Sequence, residues 1–197
     1  MKKFISAIGL VTSFVLSGCV DVKIASEIPA VEYFNIQSYE DSKDNRKCSK
    51  MPHIGLLDVN VASAFSGTDI VVLDHLNLQT TTLEGKKWVS APKEMLKYKF
   101  LTLLQNQCYK ASLQPFGTQK LDKILKITLT SFAIIKKQEG YFAQVSVFYE
   151  IQSTHNYSVL KSASITRQKS IRLNDSSFAL AFRDLSDEVL GKVIQSI

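Results

Sequence analysis

The chain has 197 residues, of which 24 are Lys or Arg and 18 are Asp or Glu, for a formal net charge of +6. That length suits one compact domain with a sizeable core, and a charge excess of this size describes a solvated, slightly basic surface. Beyond the first nineteen residues no segment approaches ~18 uninterrupted apolar residues, which excludes a membrane-spanning helix in the rest of the chain.

Lys2 and Lys3 form a short positive n-region, and Phe4 to Leu16 run almost wholly apolar. This is the length of a signal-peptide h-region and short for a bilayer span. Small residues at Ser17 and Gly18 lie just before Cys19, and with Leu16 they resemble the lipobox of bacterial lipoproteins. In such proteins the chain is cut between Gly18 and Cys19, the thiol carries diacylglycerol, and the new amino group takes a fatty acyl chain such as palmitate. A thiol is needed because its thiolate attacks the lipid donor, and small neighbours let the peptidase close around an extended backbone. The alternative is a plain signal peptide or transmembrane helix that happens to precede a cysteine. The reading divides the chain into a signal peptide (1–18), a lipid-anchored tether (19–30) and a single α+β domain (31–197). Each buried acyl CH₂ contributes about 0.8 kcal/mol, so a multiply acylated Cys19 holds a domain durably on a membrane. Val20 stands where an aspartate would resemble an inner-membrane retention signal, which favours the periplasmic face of the outer membrane. Removing the leader lowers the net charge to about +4. Nucleic acid is not an expected partner in that compartment; anionic headgroups or an acidic protein would meet Lys86-Lys87, Lys136-Lys137 or Arg167/Lys169/Arg172.

Glu32 to Gln37 alternates and predicts a first strand, followed by a polar loop from Ser38 to Ser49. His53 to Ala62 predicts the next strand, Ser63 to Asp69 a turn, Ile70 to Leu73 a buried strand, and Leu76 to Thr80 a short strand opposite it. A helix follows to about Cys108, with Ser90 as its cap and Pro92 in the first turn. Its apolar face is Met95, Leu96, Leu101, Leu104 and Cys108. Trp88, just before the cap, reads as a core plug where the helix enters. Strands at Leu125–Leu129, Ala143–Ile151 and Val159–Leu173, with turns near Glu139-Gly140 and His155-Asn156, form an antiparallel meander. Asn174 or Asp175 caps a closing helix with a Phe178, Phe182, Leu185, Val189, Val193, Ile197 stripe, and Asp184, Asp187 and Glu188 face away. The order strands–helix–strands–helix is α+β, with both helices packed on a mostly antiparallel sheet.

With Cys19 lipidated, Cys48 and Cys108 remain as an even pair in an oxidising compartment. A bridge between them requires that the strand after Cys48 and the helix ending at Cys108 pack together; two free thiols are the alternative. His53, His75 and His155 lie on separate elements without metal-ligand spacing, and no serine sits in a G-x-S-x-G elbow. No glycine loop cradles phosphate and no C-x-x-C pair is present, so the expectation is a protein with no catalytic residues, no metal and no cofactor beyond the chains on Cys19. Phe34, Phe65 and Tyr141 are the aromatic candidates for partner contact.

The order of motifs carries a resemblance. After the lipobox come Tyr33-Phe34-Asn35-Ile36, an Ile54-Gly55-Leu56-Leu57 strand and an Asp69-Ile70-Val71-Val72 strand. Trp88 then leads through Ala91-Pro92 into a leucine-rich helix, and the chain closes on a meander and a helix with Phe182-Arg183-Asp184-Leu185. This is similar to the ABC-type transport auxiliary lipoprotein family, which includes the PqiC-like lipoproteins. The segment after Tyr39 is longer and more charged than that family's pattern. The resemblance implies a non-catalytic periplasmic subunit that works with an MCE-domain protein and an ABC permease/ATPase to move lipids between the two membranes. It also implies self-assembly into rings, a homo-oligomer held by edge strands or helix faces. Two rival readings are a lipoprotein plug or pilot for an outer-membrane β-barrel or secretin, and a periplasmic hydrolase with a scattered site.

Overall fold

The computed structural model describes residues 30–37, 48–173 and 176–197. Cys19, the leader and the tether apart from Ala30 lie outside the described residues, as do most of the polar loop and the cap expected at Asn174 or Asp175. Val31–Ile197 forms one compact unit. Its elements are β1 (Glu32–Phe34), β2 (His53–Leu56), β3 (Asn60–Val61), a 3-10 turn (Ser63–Phe65), β4 (Asp69–Asp74), β5 (Gln79–Trp88), α1 (Pro92–Asn106), β6 (Lys110–Leu113), β7 (Lys123–Lys137), β8 (Gly140–Ser153), β9 (Val159–Ile171) and α2 (Ser177–Ile194). The class is α+β in the expected strands–helix–strands–helix order.

The sheet hangs on β7. One edge of β7 pairs antiparallel with β8 from Lys123↔Ser153 to Lys137↔Gly140, and β8 pairs antiparallel with β9. The other edge is taken in turn by β2, β3 and β4, all parallel to it. β6 lies parallel to β2, β5 antiparallel to β4, and β1 parallel to β5. The sheet is therefore mixed, where a mostly antiparallel one was expected. Hairpins make antiparallel neighbours, but the strands paired in parallel are not consecutive: the chain runs through β3, β4, β5 and α1 between β2 and β6, and connections of that length permit parallel pairing.

Individual elements differ from expectation for local reasons. The strand expected from His53 to Ala62 is two, and Asp58 at the step between them reaches Lys93 and Lys97 of α1. Leu76–Leu78 form a turn instead of a strand start, and β5 runs on from Gln79 to Trp88. A register shift after Asp69↔Lys87 makes a bulge in β5, with Gly85 at φ 68°, a conformation that glycine adopts without a Cβ clash. Helix α1 is capped at Ala91 without a side-chain bond, so Ser90 does not take that role, while Pro92 opens the helix as expected. Cys108 lies past the helix end at φ 63°, the left-handed turn that terminates many helices.

Helix α2 packs on β8 and β9, with α1 beside it. Ala143, Val145, Val147, Tyr149 and Ile151 of β8 are buried at alternate positions, the period-two pattern of a strand with one face on the core. Phe178, Phe182, Leu185, Val189 and Val193 are buried as the stripe predicted, and Ile197 is half-buried. Trp88 is fully buried at their centre, with ring centroids 5.2 Å from Phe132 and 5.2 Å from Phe182 in edge contacts. In α1 the buried positions include Phe100, absent from the predicted stripe, and Lys99, only 5% exposed. The Lys99 ammonium lies 2.9 Å from Asp187 of α2 and donates to the Ile36 carbonyl at 3.2 Å. Asp187, expected to face water, thus joins the helices to each other and to the segment after β1.

Cys48 and Cys108 are joined in a disulfide with their Cα atoms 5.5 Å apart. They meet because each shortly precedes one of two paired parallel strands, β2 and β6, and Lys110 N–H donates to Pro52 O at 2.9 Å to continue that pairing. Two expectations follow. Replacing both cysteines by serine should lower unfolding free energy by about 4 kcal/mol in the chain-entropy account, read as a lower denaturant midpoint. Asp187→Ala, which removes the carboxylate from the buried Lys99 ammonium, should lower the denaturant midpoint, and combining it with Lys99→Met should recover part of that loss in the same titration.

Candidate interaction surface

The face of the sheet away from the helices carries hydrogen-bonded rows of polar side chains across three strands. Thr130 Oγ1 donates to Ser146 Oγ at 3.0 Å, which shares a 2.7 Å bond with Thr166. In the neighbouring row Gln144 donates to Ser131 at 2.8 Å, Gln168 donates to Gln144, and Lys137 donates to Gln168 at 3.0 Å. These cross-strand pairs satisfy one another and stabilise the sheet. A cleft of about 550 Å³ opens between the 3-10 turn and β4–β5, lined by Ser63, Ser66, Asp69, Val71 and Thr80–Thr82 among others. A second, of about 380 Å³, is bordered by Leu56, Asp58, Lys97, Leu113 and Gln114. At its rim Glu94 hydrogen-bonds Lys97 at 2.6 Å and holds that ammonium above its ordinary pKa.

The basic pairs singled out in the sequence are largely neutralised where they stand. Lys86 lies 3.8 Å from Glu32, Lys87 3.2 Å from Asp69, and Lys136 2.9 Å from Asp74. Arg167 pairs with Glu188, and Lys169 lies 2.9 Å from Asp184, lowering the pKa of that carboxyl. The acids of α2 expected to face water therefore clamp the helix onto β9. These exposed pairs define position more than stability. The other edge of β9 pairs with nothing among the described residues and presents a 13-residue strand.

Two hairpin turns at opposite ends of the long strands carry exposed apolar side chains, as do Tyr33, Val89, Tyr98 and Leu180 elsewhere. Between β4 and β5, Leu76 is 50% and Leu78 91% exposed; between β8 and β9, Tyr157 is 67% exposed, with Val159 and Leu160 beside it. Leu78 and Tyr157 hold φ of 53° and 56°, the left-handed region that disfavours bulky side chains. The first turn is built by Asp74, whose carboxylate accepts from Lys136 at 2.9 Å, from the N–H groups of Leu76 and Asn77 at 2.8 and 3.3 Å, and from the Asn77 amide at 3.1 Å. Of the aromatics expected at a contact surface, Phe65 is buried, Phe34 packs on Phe178 at 4.7 Å and Tyr141 is half-buried. The exposed leucines escaped notice because Leu76–Thr80 also reads as an alternating strand. Asp74 two and three residues ahead of Leu76 and Asn77 was the available turn signal.

His53, His75 and His155 remain apart, the latter two on the opposite hairpin turns, and no group of three or more His, Cys, Asp or Glu among the described residues could hold a metal ion. The structure does bring His53 within 2.8 Å of Ser112 across β2 and β6, a pair invisible in sequence. Ser112 Oγ also lies within hydrogen-bond distance of Gln119 Oε1, so His53, Ser112 and Gln119 form one chain of polar contacts. Asp122 accepts from the His53 backbone N–H, not from the ring. The network fastens residues 114–122 over β2, where Phe116 and Leu121 crowd Gly55 so closely that a Cβ would meet Leu121 Cδ1 at 2.5 Å. No helix among the described residues is long and apolar enough to cross a membrane.

No protein-family model matches the chain, and no curated protein matches it. Among solved structures the fold is similar to that of a protein from Xanthomonas campestris assigned to DUF330, with a TM-score of 0.64 and 14% identity over 84% of this chain and 90% of that one. It is also similar to an uncharacterised protein, with a TM-score of 0.59 and 13% identity over 83% of this chain and 99% of the other. At these identities the likeness establishes a shared fold.

The turn network has a pH signature. The hydrogen bond from Lys136, with those from Leu76 and Asn77, holds the Asp74 carboxyl at a pKa of about 2. Because the folded value lies below the unfolded one, the stabilisation is present above about pH 4 and is lost as pH falls through about 2. Denaturant titrations should show wild type more stable than Asp74→Asn at pH 7, with the difference shrinking below about pH 4 and vanishing near pH 2.

Proposed function

We propose that the chain is a non-catalytic lipoprotein subunit, anchored through Cys19 to the periplasmic face of the outer membrane, that serves an ABC/MCE-type system moving lipids between membranes. The observation that carries this reading is the lipobox ending at Cys19 a short tether ahead of one compact unit, Val31–Ile197. The order of motifs that resembles the ABC-type transport auxiliary lipoproteins supports it, and the fold is compatible with it. A rigid mixed sheet with exposed apolar turns and an unpaired β9 edge suits docking. In this role the domain contacts the end of an MCE-domain assembly driven by an ABC permease/ATPase, with further copies of itself as neighbours.

Acylation is directly measurable. Mass spectrometry of the membrane-extracted protein should find diacylglycerol and an acyl chain on an amino-terminal Cys19, and Cys19→Ser should abolish fatty-acid labelling and release or strand the chain. Cross-linking in solubilised membranes should recover an MCE-domain protein. An unmodified amino terminus, or capture of a β-barrel or secretin with no MCE protein, would count against the proposal.

A further inference from the structure

We infer that the β4–β5 turn is a second membrane contact, seating Leu76 and Leu78 in the headgroup region of the same bilayer that holds the Cys19 anchor. This rests on the anchor proposed above. Three observations converge on it. First, Leu78 combines a left-handed backbone with almost complete exposure. Folding alone gains from neither, since glycine or asparagine would meet that backbone at lower cost, and strain kept at an exposed position points to a use outside the fold.

Second, the turn is held in shape before anything binds. The four hydrogen bonds to Asp74 and the pairing of β4 with β7 present both leucines on a fixed support. The ordering cost of contact is therefore small.

Third, the chain reaches this end from the anchor. β1 runs parallel to β5 with Glu32 opposite Lys86, so the backbone comes into Glu32 from the side where Gln79 and the turn lie. Seven residues of β5 separate that level from the turn, about 23 Å. The 13 residues from Cys19 to Glu32 span at most about 45 Å. A tether of that length reaches either end of the long strands, and the direction in which the chain enters Glu32 selects the turn's end over the end of β8 and β9 that carries Tyr157, Val159 and Leu160. Charge around the turn is compatible with anionic headgroups: Lys136, Lys137 and Arg172 stand against Asp74 and Glu139 among the described residues. Two leucines bind a bilayer weakly alone, but the anchor makes the contact intramolecular and raises its effective concentration.

The test uses the full chain made in bacteria, extracted in detergent and reconstituted into phosphatidylethanolamine/phosphatidylglycerol vesicles with or without brominated acyl chains. Leu78→Trp and, at the far end, Leu160→Trp add one exposed indole each, and the buried Trp88 supplies a constant background. The expected result is that both variants float with the vesicles, and that only the Leu78→Trp indole shifts to the blue and loses emission to bromine. Emission from Leu78→Trp that stays aqueous and unquenched in floating vesicles overturns the inference while leaving the anchor intact. So does equal quenching at both ends. A shift that needs co-reconstituted membrane proteins assigns the turn to a protein contact, and one that follows protein density at fixed lipid assigns it to a second copy; either overturns it. Failure to float overturns the anchor, and this inference with it.

Discussion

Everything in the fold converges on the indole of Trp88. It sits at the end of β5, where the chain leaves the sheet for α1, and it touches Phe132 of the central strand and Phe178 and Phe182 of α2. One side chain thereby fixes how the closing helix lies on the sheet and where the first helix begins. Its burial comes with a cost, because Nε1 finds no acceptor among the described residues. An unsatisfied buried donor costs about 1–3 kcal/mol. The edge contacts with three phenylalanines and full burial of the ring offset that, a pairing worth about 0.5–1.5 kcal/mol per aromatic contact beyond area alone.

Around this centre the polar groups are committed to holding the domain together. Lys99 and Asp187 join the helices, and Asp184 and Glu188 secure α2 to β9. Hydroxyl and amide rows tie β7, β8 and β9. The basic clusters singled out in the sequence are for the most part held in local pairs. Exposed apolar side chains stand on two hairpin turns among other places, and β1, β6 and β9 each pair on one side only among the described residues.

Much of this was readable from residue order, and the parts that were not share a cause. Alternation in Ala143–Ile151 identifies the strand and its buried face because side chains on a strand have period two. The Phe178–Val193 stripe does the same for α2 at period 3.6. Neither pattern says which way a neighbouring strand runs, so the parallel pairing of β2, β3 and β4 with β7 was out of reach. Four-residue β6 carries too few positions for a period. Lys99 reads as solvent-facing because its burial depends on Asp187, almost ninety residues away.

The same division holds for the candidate site. Residue order alone led to the expectation of a leader and of acylation at Cys19, and it determined the α+β class and the even cysteine pair, because each is a local chemical pattern or a count. Only the tertiary structure decided that Cys48 and Cys108 meet, that His53 lies beside Ser112, and that Leu78 rather than Phe65 stands in the open. Those outcomes depend on which distant elements share an edge, and pairing across a sheet is set by the packing of the whole core, which no short window of sequence contains.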